Sequence, residues 1–179
     1  MSISIGDLAI HTFVPVLKTL ATLLEKGRAH AQADGSPTTA LLEARLAPDM
    51  FPLSTQVQLA CHHARDAVAR LTGRAAPKID NRDLTWEELE TLVTRTAEHI
   101  AHLKPAAFSG AMERHIDMPL QGTTVFQSDG YQFLRDWSLP NFYFHVVTAY
   151  DILRHAGVAV GKRDYLGHIA PYLRQSGAR

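Results

Sequence analysis

Ten histidines in 179 residues give this chain its greatest chemical reach, because imidazole is the commonest transition-metal ligand and the general base best matched to neutral pH. Their positions narrow the field. His62 and His102 fall on polar faces of helical segments, while His30 and His168 lie near a loop and the C-terminal tail, where a solvated side chain needs no further role. His63 and His99 sit at the edges of apolar stripes, from which they can turn inward. His145 is different, since it holds an inward position between Phe142 and Ala149. A buried neutral imidazole there must find a partner for each ring nitrogen, either as a satisfied core residue or as a ligand or base at an interior cavity. Cys61 also faces inward, but the adjacent His62 cannot activate it, because successive helical residues diverge by a quarter-turn or more. Buried cysteine is by default a small inert hydrophobe. Arg114, His115 and Asp117 form a charged group that either rims a pocket or is simply solvated. The chain carries no nucleophile elbow, phosphate loop, dinucleotide fingerprint or HExxH run.

The elements that must position these residues are helices. Ile10, Phe13, Leu17, Leu20 and Leu24 recur at spacings of three and four, which predicts a first helix from about Ile5 to about Ala33, kinked or beginning at Pro15. A short segment, Ala40 to Leu46, follows Pro37. The second long helix is expected from Pro52 to about Thr72, with Leu53, Val57, Ala60, Cys61, Ala64, Val68 and Leu71 inward and Gly73 ending it. Thr85 and Glu88 make a capping box for the third, which Trp86, Leu89, Val93, Thr96, Ile100 and Leu103 carry to Pro105. The fourth is expected from about Pro140 to His155, with Gly157 as its cap. Between the third and fourth, the period-2 run Ile116, Met118, Leu120 suits a small hairpin turning at Gln121-Gly122. Ser128-Asp129 then caps a further short helix through Trp137. The reading is one all-α domain over residues 1–179, a four-helix bundle with an irregular insertion at about 105–138.

Charge and cysteine content bound the setting. Eighteen Lys plus Arg balance eighteen Asp plus Glu, so the net charge of +0 lacks the broad positive footprint of a nucleic-acid partner. Cys61 is the chain's one cysteine and has no intramolecular disulfide partner, which suits a reducing compartment. The N-terminus lacks the basic region of a secretory signal, and Pro15 and Lys18 break the apolar stretch behind it, so neither membrane nor export is expected and the protein reads as cytoplasmic. Val14 and Leu23, apolar beside the main stripe of the first helix, motivate a homodimer.

The run Leu139-Pro140-Asn141-Phe142-Tyr143-Phe144-His145-Val146-Val147-Thr148-Ala149-Tyr150 resembles a family. It continues through Ile152-Leu153-Arg154-His155-Ala156-Gly157-Val158 and through Gly161-Lys162-Arg163-Asp164-Tyr165-Leu166-Gly167. With Arg45 to Leu53, Gln56-Val57-Gln58 and Ala60-Cys61, it is similar to the domain-of-unknown-function family numbered 1993, bacterial and fungal proteins of the DinB-like superfamily. The resemblance implies an up-down-up-down four-helix bundle and supplies no established activity. Relatives in the superfamily often hold a metal with three histidines, one on helix two and two spaced four apart on helix four, and some are thiol-dependent transferases. This chain departs from that pattern: Ala149 stands where the partner of His145 belongs, and the helix-two position is either His62 or His63. The leading expectation is therefore a bundle protein without an intact metal site and with no cofactor, binding a small molecule in a pocket lined by Cys61, His145 and Tyr150 and roofed by the hairpin. The alternative is a metal-dependent enzyme of thiol-transferase or hydrolase type, in which a divalent ion is held by His145 with His63 or His99.

Overall fold

The computed structural model describes residues 4–75, 77–78, 82–120 and 125–174. Helix α1 spans Ile5–Ala33 and opens on a capping box in which Ser4 Oγ accepts from the Asp7 amide and the Asp7 carboxylate accepts from the Ser4 amide. Pro15 lies inside α1, so the helix neither starts nor stops at it. The short α2 covers Thr38–Glu43, and α3 runs Leu53–Leu71 with Pro52 as its N-cap. Helix α4, Trp86–Ala101, begins at the Thr85/Glu88 box, and α6 covers Leu139–His155. Gly73 and Gly157, at φ of 70° and 91°, follow α3 and α6 in the left-handed conformation that side chains resist.

Strands β1 (Ile116–Pro119) and β2 (Val125–Ser128) pair antiparallel with Met118 opposite Phe126, and together they form the small hairpin that the alternation predicts. The turn expected at Gln121-Gly122 lies outside the described residues. After β2 comes a departure from the sequence reading. Asp129 caps α5 (Gly130–Gln132), but the chain then passes through a π-helical stretch, Phe133–Ser138, straight into α6 without a break. Pro140 is accommodated just where the π-helical stretch gives way to α6, so the run continues past it. The side-chain amide of Asn141 donates to the Trp137 carbonyl at 2.8 Å, supplying that acceptor with a partner. A last short helix, α7, covers Lys162–Tyr165.

Helix α1 packs against α4, and α3 packs against both α6 and α4. Phe13, Leu17, Leu20, Leu53, Leu89, Phe142 and Val146 are fully buried between them, and Phe13 meets Phe142 edge-on at a centroid distance of 4.9 Å. Helix α1 is covered on more than one side, so the two apolar residues beside its main stripe are taken up within this fold: Leu23 is completely buried and Val14 packs against the core. The same helix is long and apolar enough to cross a membrane by length and composition, with a mean hydropathy of 1.3 in its most apolar window, a property the sequence reading did not credit. Half of that window is buried inside this fold, as in the core helix of a globular protein.

Candidate functional site

The structure divides the sequence-predicted residues among three places. The first is the seam between α3 and α6. Here His145 is 8% exposed, and its Nδ1 lies 2.7 Å from Oε1 of Gln56, itself 1% exposed. The Nε2 amide of Gln56 donates to the Phe51 carbonyl at 3.1 Å, which fixes its oxygen as the group facing the ring. His145 therefore carries its proton on Nδ1 and presents Nε2 as a lone pair. His63 stacks on the ring at 5.3 Å with 10° between the planes, and His62 meets His63 edge-on at 5.6 Å.

Burial, and then the neighbouring imidazoles, disfavour the charged form. His63 is pushed down to about 4 by desolvation first, then by His145 and His62. His145 is pushed to about 4 by desolvation first, then by His62. The two rings form a neutral, stacked pair at physiological pH. Sequence reasoning found His145 but not its partner, although Gln56 falls on the inner stripe of α3, one residue before Val57 and three after Leu53.

The second place is a groove of about 600 Å³ between α3 and α4. Its α3 wall is the stripe Gln58, Cys61, His62 and Arg65, and its α4 wall is Glu88, Thr91, Leu92, Arg95, Thr96 and His99. Lys78, Arg82 and Leu84 from the connecting segment complete it. His62, expected on a solvated face, is half-buried in this wall, while His99 is exposed at its edge and does not join His63 and His145. Cys61 forms part of the floor with no exposed surface. Burial pushes its thiol up to about 12 against a hydrogen bond with Thr96, so the sulfur stays protonated. Native protein at pH 8 should accordingly react with a disulfide reagent such as DTNB at least about a hundredfold more slowly than unfolded protein. Equal rates would show that the groove floor is open.

The third place is a shallow hollow of about 280 Å³ holding Tyr150 with Val147, Asp151, Lys162 and Tyr165. The pocket expected to gather Cys61, His145 and Tyr150 is thus not formed. Cys61 lies buried beneath the α3–α4 groove, Tyr150 borders a separate hollow, and His145 points into the α3–α6 seam. Nor does the hairpin act as a roof: no described residue of β1 or β2 lines the α3–α4 groove. The hairpin is instead tied to the end of α3, where Arg70 donates to the Asp117 carbonyl and Arg114 to the Leu71 carbonyl.

The fold is that of an α-helical protein of the DinB type with a two-stranded insertion. The chain belongs to the domain-of-unknown-function family DUF1993, whose model matches residues 6–166. It is similar to the crystal structure of a DinB family member protein from Shewanella denitrificans, with 40% sequence identity, a TM-score of 0.84 and coverage of 95% of each chain. No curated protein matches. The three-histidine metal centre that the resemblance implies does not fit the residues present. Ala149, fully buried, supplies no ligand, and among the described residues no group of three or more His, Cys, Asp or Glu side chains is placed to hold a metal ion.

Proposed function

We propose that this protein binds a small molecule in the groove between α3 and α4, on a bundle whose long helices α1, α3, α4 and α6 run up-down-up-down. The groove itself carries the reading: about 600 Å³ lies within the usual range for small-molecule sites, and its walls combine apolar and polar groups. The inner surface is Leu84, Leu92 and the buried Cys61 and Thr96, and the rim offers Gln58 and Thr91 as hydrogen-bonding groups. The role of His145 in this reading is architectural, because the bond to Gln56 and the stack with His63 join α3 to α6 and so hold the α3 wall in place. A reducing, cytoplasmic setting belongs to the same reading, and the lone cysteine supports it.

Thr91 is exposed on the groove wall, so Thr91→Trp fills the groove without disturbing the core. The test uses two naphthalene dyes, anionic 8-anilinonaphthalene-1-sulfonate and neutral N-phenyl-1-naphthylamine. At least one should brighten on binding wild-type protein and lose roughly tenfold or more of its affinity in Thr91→Trp. Affinities unchanged by the substitution for both dyes would count against the groove as a ligand site.

A further inference from the structure

We propose that the ligand of the α3–α4 groove is a small organic anion, its phosphate, sulfonate or carboxylate group held by Arg65, Arg95 and Lys78 and its apolar body lying over Leu84 and Leu92. This rests on the groove being the ligand site and adds the chemical class of the ligand.

The whole chain is electrically balanced, with eighteen basic and eighteen acidic residues, yet the groove is not. Among the described residues, Arg65, Lys78, Arg82 and Arg95 line it against a single carboxylate, Glu88. That carboxylate is already committed: it accepts from Arg82 at 2.9 Å and from the Thr85 amide at 2.9 Å, where it caps α4. Arg65, Lys78 and Arg95 form no ion pair among the described residues. Several cations elsewhere do have an acidic partner, as Lys26 has Asp164, Arg28 has Glu90 and Arg70 has Asp66. Like charges gathered around one concavity repel each other, and a low-dielectric wall focuses their field into the space between them. An anion entering that space relieves the repulsion and meets donors from two helices and a loop.

The placement follows from helical spacing. Arg65 is four residues beyond Cys61 on α3, and Arg95 is three beyond Leu92 on α4, so each guanidinium stands one turn along from an apolar floor residue. A ligand with an anionic end and an apolar body therefore satisfies both parts of the groove at once. A narrower hollow of about 170 Å³ shares Arg65 and His99 and adds Arg74, which extends the positive wall past the end of α3. The dimensions suit a single small molecule rather than a polymer.

The double variant Arg65→Gln, Arg95→Gln tests this against wild type with the same two dyes. Because neither arginine is ion-paired among the described residues, the variant should fold with an unchanged or raised melting temperature. In wild type the sulfonate dye should bind roughly tenfold or more tightly than the neutral dye, as two charge-assisted contacts allow. That advantage should vanish in the double variant and shrink in about 0.5 M salt, while the neutral dye is unaffected. If Thr91→Trp still displaces dye but the sulfonate shows no advantage, or keeps it in the double variant, the anion assignment is overturned and the groove remains a small-molecule site. If neither dye responds to Thr91→Trp, both readings fall together.

Discussion

Gly130→Ala is expected to be among the most damaging single-methyl changes in this protein, costing about 3 kcal/mol or more and lowering the melting temperature by roughly 6 to 12 °C. A Cβ placed on Gly130 would sit 1.8 Å from the carbonyl oxygen of Ala111 and 3.2 Å from Cδ2 of Leu71. The first of these is backbone and cannot swing aside. It is held in register by the next residue, since the Tyr131 amide donates to the Met112 carbonyl at 3.1 Å. The insertion is therefore clasped to the segment before β1 at a point where only hydrogen fits, and Ala111 and Gly130 are both buried there. The displacement would also reach α6, because the chain runs from Gly130 to His155 through continuous helical turns. Gly167→Ala, where an added Cβ meets nothing within 4 Å, is the control and should leave stability within about 0.5 kcal/mol of wild type. Thermal and urea unfolding of the two variants decides the matter. A Gly130→Ala protein as stable as the control would mean that the insertion does not dock as described.

The helices were legible because burial writes itself into spacing. Phe13, Leu17, Leu20 and Leu24 lie on the same side of α1 whatever covers them, and the Thr85/Glu88 box marks the start of α4 in sequence as in space. Ile116 and Met118 announced β1 in the same way, through a period of two. What spacing cannot carry is the identity of the element across the gap. His145 reads as inward, but that its Nδ1 meets Gln56, and that His63 lies parallel above it, depends on which face of α3 packs against α6. The basic groove was hidden for a related reason. Arg65 and Arg95 look like solvated residues on two polar faces, and only the packing of α3 beside α4 turns those faces toward one concavity. The run from α5 to α6 was misread as two helices because Pro140 is a strong breaker in most contexts, and the π-helical turn that admits it leaves no mark in residue spacing.

Acid should weaken this protein well before its carboxylates titrate, and the stacked pair is the reason. His63 and His145 stand near 4 in the folded state against an ordinary value of 6.5. As pH falls through 6.5 the unfolded chain takes up protons at both positions while the folded chain does not, so the unfolded state gains. The loss of stability runs from about pH 6.5 to about pH 4 and ends once the folded state is protonated as well. At about 1.4 kcal/mol per pH interval of mismatch, each imidazole accounts for about 3 kcal/mol across that window. His62, also lowered, acts in the same direction. The depressed carboxyls of Asp7, Glu88, Asp136 and Asp164 work in a different range. Their folded values lie below the ordinary carboxylate values, so the stability they contribute is lost only as pH falls beneath about 4. His145→Leu separates the two ranges. At pH 7 the variant should be less stable by about 1 to 3 kcal/mol, because the buried oxygen of Gln56 is left without its donor. Between pH 6.5 and 4 its stability should fall only about half as steeply as that of wild type, so that the two curves converge and cross near pH 5. Urea unfolding at half-unit pH steps measures both curves, and parallel curves would show that the imidazole pair is not what makes the fold acid-sensitive.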